Sequence, residues 1–230
     1  MSWWRRGRAG KDRGPDPIPV YAAAAAVLGY PDRQLLEQLD RLEEMVTDAG
    51  AGEWFAPVLA YLRPADEDVT RHLTDLQSVH VQEFDISRRH ALHLTYWIDG
   101  DTRRRGESLW RYKQAYRESG LVVDLNGELP DYLPMVLEFA VHAPDLGRTL
   151  LESSRQALEL LRLALRDDRL PQEGILAAIC ATLPGDSPDD RLAVSRMEEG
   201  WQPPVETVGL AGVPAPYGSR LPLIDTGQID

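Results

Sequence analysis

Two histidines, His90 and His93, stand three residues apart in "SRRHALHLTYWIDGDTRRRG", a spacing that puts both imidazoles on one face of a helix. Such a pair still needs a third metal ligand from elsewhere. No glutamate in the chain is followed three residues later by a histidine, so the Glu-x-x-His pairs of a four-helix carboxylate metal centre are missing. Core or solvated histidines are the expectation. The turn "DGDTRRRG" opens like a calcium loop, but counted from Asp99 its fifth position is Arg103 and its twelfth Trp110, where oxygen ligands are required. Gly10-Lys11 is followed by Asp12 and has Arg5 where a phosphate-binding loop needs glycine. Cys180, in "ILAAICATL", reads as a small buried hydrophobe, and no serine lies in a recognisable nucleophile turn. These residues point away from an enzyme and call for no cofactor and no metal.

Two other stretches carry more information. Arg103, Arg104 and Arg105 follow Asp99 and Asp101 at the start of a predicted helix, where the macrodipole disfavours cations by a few tenths of a kcal/mol each. Asp101 as N-cap with Asp99 beside it gives a local ion-pair knot, and an anionic patch on a partner is the functional alternative for the guanidinium groups. In "GELPDYLPMVLEF", Asp131 reads as a helix N-cap, Pro134 falls in the first turn, and Leu133, Val136, Leu137 and Ala140 form a buried stripe. Glu128 and Asp131 then frame an acidic lip suited to a basic amphipathic peptide.

The elements that must position these residues read as helices almost throughout, and the class is all-α. "DRQLLEQLDRLEEMV" lines up Leu35, Leu39, Leu42 and Val46 behind an Asp32 cap; Val69, Leu73, Leu76 and Val79 repeat the pattern. Further helices are expected over 53–62, 87–98, 102–119, 132–142, 146–166 and 172–183, with "GLVVDLNG" as a connector. The organisation expected is a flexible basic segment 1–19, one helical domain 20–199, and a mobile Pro/Gly-rich tail 200–230.

Bulk composition narrows the classes further. The chain has 230 residues, 43% hydrophobic, enough for one sizeable core, and its one cysteine fits a reducing, cytoplasmic setting. No apolar run approaches the roughly 20 residues of a membrane span, so no stable membrane insertion is expected. The net charge of -12 conceals two basic islands of +4 each, at 1–13 and 86–119, which alternate with two acidic stretches of -10 each, at 14–85 and 120–230. A general nucleic-acid partner is therefore disfavoured by the surrounding acidic field.

The run "FDISRRHALHLTYWIDGDTRRRGESLWRYKQAYRESG", followed by "ELPDYLPMVLEFA", closely resembles the NarJ family, the assembly chaperones of respiratory nitrate reductase also called its delta subunit. The likeness runs from about Tyr21 to about Leu183 and is most specific from Phe84 to Ala140. It implies a single-domain helical bundle of the TorD-like chaperone type. It also implies a partner, the catalytic (alpha) subunit of respiratory nitrate reductase, bound partly through that subunit's N-terminal segment and kept competent for molybdenum cofactor and iron-sulfur insertion before membrane assembly. A chaperone for another molybdoenzyme is the nearer alternative, a metal-dependent helical enzyme the more distant one. The wider group carries a Glu-x-Pro-Asp-His motif at its peptide site; Glu128, Pro130 and Asp131 match it, whereas Tyr132 replaces the histidine. His80 likewise stands where relatives commonly have tyrosine.

Because the expected client segment is basic and amphipathic, the arginine island repels it. The client-peptide site expected from these residues therefore combines the acids Glu83, Asp85, Glu128 and Asp131 with Pro130 and the apolar Tyr96, Trp97, Leu133 and Leu137. Asp99, Asp101, Arg103, Arg104 and Arg105 form an expected second client contact, to an acidic surface of the same subunit.

Overall fold

A computed structural model describes residues 14–65, 67–125 and 127–197. The chain runs through α1 (Pro17–Leu28), α2 (Arg33–Glu37), α3 (Leu39–Asp48), α4 (Gly52–Leu62) and α5 (Val69–His80), which passes directly into a π-helical turn, Val81–Ile86. It continues through α6 (Leu94–Asp99), α7 (Arg104–Glu118), α8 (Leu133–His142), α9 (Pro144–Ser153), α10 (Arg155–Asp167), α11 (Glu173–Ala181) and α12 (Arg191–Arg196). No strand occurs among the described residues, only one isolated antiparallel bridge between His93 and Tyr132. The all-α expectation is met. The segment 1–13 and the tail from 198 onward lie outside the described residues; α1 already begins at Pro17, ahead of the boundary expected at 20.

The core is built around α1, whose longest contact is with α8. Val20, Ala23, Ala24, Val27 and Leu28 face Leu133, Val136, Leu137 and Ala140 in one buried cluster. Alanine lets two helix backbones approach closely without leaving voids. Glycine does the same at two further crossings: a Cβ on Gly147 of α9 would sit 2.2 Å from Ala140 Cα, and one on Gly174 of α11 would sit 2.1 Å from the Trp54 carbonyl oxygen of α4. Asp32 caps α2 as expected, accepting from the Leu35 amide at 2.8 Å, and Leu35, Leu39, Leu42 and Val46 are all buried. On α5 only Leu76 of the expected stripe is buried; Val69, Leu73 and Val79 are half-buried.

Three expected helices are interrupted. The 32–46 stretch breaks at Gln38, with φ -104° and ψ 1°. The 146–166 stretch starts earlier, at Pro144, and breaks at Ser154, whose hydroxyl lies 2.7 Å from the Leu150 carbonyl and 2.5 Å from the Tyr112 hydroxyl of α7. A serine bonding back to the preceding turn and across to another helix competes with the helical ladder. The 87–98 stretch is helical only from Leu94; residues 87–93 are extended and turn-like, because their backbone pairs with the chain entering α8.

Glu159 of α10 is fully buried between two arginines of its own helix. Its Oε1 accepts from Arg155 Nε (3.0 Å) and Nη2 (2.8 Å) and from Ser187 Oγ (2.7 Å); its Oε2 accepts from Arg162 Nε (2.6 Å). The arginines donate onward to the carbonyls of Pro184, Gly185 and Pro188, fixing the segment that leads to α12. Burial alone would raise the Glu159 pKa, but the Ser187 bond and the two guanidiniums hold it below the usual range. Cys180 is buried as expected, with its thiol pKa pushed up by burial.

Candidate functional site

The extended segment 87–93 crosses the turn 128–132, and the crossing is stitched by backbone: the Leu94 amide donates to the Asp131 carbonyl (3.1 Å) and the Leu133 amide to the Leu92 carbonyl (2.8 Å). Asp131 is buried at 0% exposure and does not cap α8, correcting the sequence expectation. Its Oδ2 instead accepts from the Thr95 amide (2.9 Å) and hydroxyl (2.6 Å), satisfying an orphan donor in the first turn of α6. Burial pushes the Asp131 pKa up, and the interactions with His93 and Thr95 outweigh it, leaving the carboxyl below its usual value. His93 Nδ1 lies 3.4 Å from Asp131 Oδ1, close for a charge pair but not aligned as a hydrogen bond, and His93 Nε2 lies 3.8 Å from Glu128 Oε2. From α7, the Tyr116 hydroxyl donates to the Pro130 carbonyl at 2.6 Å and pins the turn from below.

Two grooves open on either side of this turn, and Glu128 and Tyr132 belong to both. The first, about 380 Å³, contains Asp85, His93, Tyr96, Asp101 and Arg105, a lining of mixed charge. The second, about 550 Å³, lies between α1 and α8; Ala22, Ala25, Ala26, Met135 and Val141 line it together with the acids Asp124, Glu128 and Glu138. Tyr132 is half-buried on the ridge. Burial, reinforced by the Glu128 and Asp85 charges, pushes its phenol pKa up to about 12, so it stays neutral at ordinary pH.

The arginine run divides in three. Arg103 is exposed and occupies the N-cap position of α7 that Asp101 was expected to take. Arg104 is 82% exposed, with its Nε 3.9 Å from Asp99. Arg105 is only 19% exposed: its Nε donates to Thr95 Oγ1 (3.2 Å), its Nη1 lies 3.6 Å from Asp101, and its guanidinium carbon lies 5.9 Å from the Tyr96 ring centroid. Asp101 is shared with Arg88 at 3.3 Å. Arg105, Thr95 and Asp131 thus form a polar chain from the basic island to the crossing beneath the grooves.

The structure brings Asp85, Tyr96 and Glu128 together in one groove, with Asp101 and Arg105 in the same lining. It separates the rest. Leu133 and Leu137, expected as apolar contacts for a peptide, are at 0% exposure because their stripe faces α1, and Pro130 and Asp131 are buried under the ridge. Asp99 is likewise buried and unsuited to a surface contact. Glu83 lines neither groove and accepts from His90 Nδ1 (3.0 Å). Trp97 is half-buried, its indole N–H donating to the Ala91 carbonyl (2.9 Å), which braces the extended segment. His90 lies in the core between Glu83 and Asp168, whose Oδ2 is 2.9 Å from its Nε2. Among the described residues no cluster of histidine, cysteine and carboxylates is placed to hold a metal ion. Sequence reasoning missed the α1–α8 groove; its trace was the alanine run of "YAAAAAVL", too many small residues for a surface helix with nothing to accommodate.

Comparison with known proteins bears directly on this region. The family model described as nitrate reductase delta subunit matches residues 34–171, which include the crossing and all of α8. The "Nitrate reductase-like protein NarX" of Mycobacterium tuberculosis (strain H37Rv) is 37% identical over 168 residues, covering 71% of this chain and 24% of that protein, so the chain spans about a quarter of that relative. The Bacillus subtilis protein named "Probable nitrate reductase molybdenum cofactor assembly chaperone NarJ" is 27% identical over 140 residues, covering 61% of this chain and 71% of its own length. A protein of Escherichia coli with the corresponding name NarW is 36% identical over 73 residues, 32% of this chain and 31% of that one. With the family match spanning well over half of the sequence, and the grooves and their acidic ridge lying largely inside it, this chain belongs to the nitrate reductase delta subunit family.

Proposed function

We propose that the chain is an assembly chaperone that binds the catalytic subunit of a respiratory nitrate reductase before membrane attachment and keeps it competent for molybdenum cofactor and iron-sulfur insertion. The names of the Bacillus and Escherichia relatives support the chaperone role, and no helix among the described residues is long and apolar enough to cross a membrane. Action in the cytoplasm accords with that reading. One geometric observation carries the binding mode: an acidic ridge, Glu128 with Tyr132, standing between a groove with an apolar floor and a groove of mixed charge. A basic amphipathic segment of the client lays its apolar side along Ala22, Ala25, Met135 and Val141 and turns its cations toward Glu128 and Glu138, with Asp85 reached across the ridge. Exposed Arg103 and Arg104 face an acidic surface of the same client.

The test is calorimetric titration of the chain with a peptide of the client's N-terminal segment, against a scrambled peptide of equal charge. Selective binding is expected, with E128K weakening it about three- to tenfold, as expected when an attraction at a partly exposed ion pair becomes a repulsion. Equal binding of the scramble, or unchanged affinity in a folded E128K protein, overturns the placement. Asp131 is unsuitable for this test because reversing a buried carboxylate perturbs folding itself.

A further inference from the structure

A segment of this chain outside the described residues has the chemistry to fill the groove between α1 and α8. Residues 1–13, "MSWWRRGRAGKDR", contain two tryptophans, five basic residues and one acidic residue. The groove has a floor of alanine, methionine and valine and an acidic rim of one sign, whereas its neighbour across the ridge carries Arg88 and Arg105 among its acids. A cationic segment is therefore sorted to the α1–α8 side by charge, and small alanines give flat indole rings a surface to lie on.

We infer that residues 1–13 fold back onto the α1–α8 groove of their own chain, Trp3 and Trp4 against Ala22, Ala25 and Val141, Arg5 and Arg6 toward Glu128 and Glu138, and so compete with the client. This rests on the peptide-site reading above for the competition, though not for the docking. The tether permits it. Gly14 is packed against the Ala181 carbonyl, where a Cβ would come within 2.5 Å, so residue 14, three positions before α1, is a fixed point on the body. Ala25 lies eight residues beyond Pro17, about 12 Å along the helix axis, while thirteen residues reach roughly 40 Å when extended. A tether of this length gives an effective concentration near the millimolar range, enough for a weak contact to be populated.

Two measurements test the docking and the competition separately, both on the full chain. In S2C, a nitroxide reacts at position 2 while Cys180, fully buried, stays unlabelled. Line broadening at the amides of Ala25, Met135 and Val141, independent of protein concentration and abolished by E128K/E138K, is expected. Three outcomes overturn the docking: no broadening in the groove, broadening that grows with protein concentration and so reports a second copy, and attachment of the labelled segment to anionic vesicles with the groove amides unaffected. In the second measurement, W3A/W4A/R5E/R6E is expected to bind the client peptide about tenfold more tightly than the parent, because an intramolecular competitor is removed. Equal affinity overturns the competition. If neither protein binds the client peptide while the groove amides still broaden, the client-site reading fails and the docking stands.

Discussion

Among the described residues two carboxylates, Asp131 and Glu159, are completely enclosed, and they are satisfied to different degrees. Glu159 has both oxygens engaged by two guanidiniums and a serine, and the assembly locks the chain into α12. Asp131 has one oxygen engaged by Thr95 and the other without a hydrogen bond, facing a partly exposed histidine. Both are held in the ionised form against the pull of burial. The difference follows location: Glu159 lies where the fold only has to close, Asp131 beneath the ridge that a ligand is proposed to touch. A network left one bond short retains polar capacity that a neighbouring contact can redirect.

Breaking the saturated site costs most. E159A leaves Arg155 and Arg162 buried without a counter-charge, and a loss of about 3–5 kcal/mol in denaturant unfolding is expected, with peptide affinity of the folded fraction unaltered. A large drop in that affinity would erase the distinction between the two regions.

D131N probes the less satisfied site. It removes a charge-assisted acceptor, so a loss of roughly 1–3 kcal/mol is expected at neutral pH. Because the folded-state pKa of Asp131 is depressed, its contribution is fully present above the ordinary carboxyl value of 3.8 and disappears as pH falls through the lower folded value. The parent should therefore lose more stability than D131N between neutral pH and about pH 3. Parallel pH curves for the two proteins would refute an ionised Asp131 as the source.

The smallest effect sharpens the comparison from the side of the basic island. In a double-mutant cycle, R105A and T95V should couple by about 0.5–1 kcal/mol, while R104A and T95V should be additive. Additivity in both cycles would mean that the Arg105 bond to Thr95 contributes nothing to the crossing.

Much of this fold was legible. The stripe 35–46 and the stripe 133–140 were readable because each keeps helical spacing over several turns and each is buried on one side only. The breaks at Gln38 and Ser154 were hidden, since neither position carries glycine or proline; the Ser154 break coincides with its contact to a tyrosine forty-two residues away. The site was half legible. The acids and tyrosines around 85, 96 and 128 could be named from charge and type, but burial depends on which side of α8 meets α1, and that moved Asp131, Leu133 and Leu137 inside. The groove itself escaped notice because alanine advertises nothing chemically.

The π-helical turn at Val81–Ile86 constrains how the chain can change length. Its i→i+5 bonding, seen where the Ser87 amide reaches the Gln82 carbonyl at 3.2 Å, accommodates one residue more than an α-turn would. Deleting one residue there closes the turn to α while the chain leaves it in nearly the same direction, because the bulge had absorbed the extra residue. The extended segment 87–93, with His90 and His93, then still arrives at α8 with the same faces. Insertions in the connector 120–127 add slack, whereas a second deletion between 81 and 86 finds no bulge left to absorb it, turns the exit by about 100° and changes which residues form the ridge.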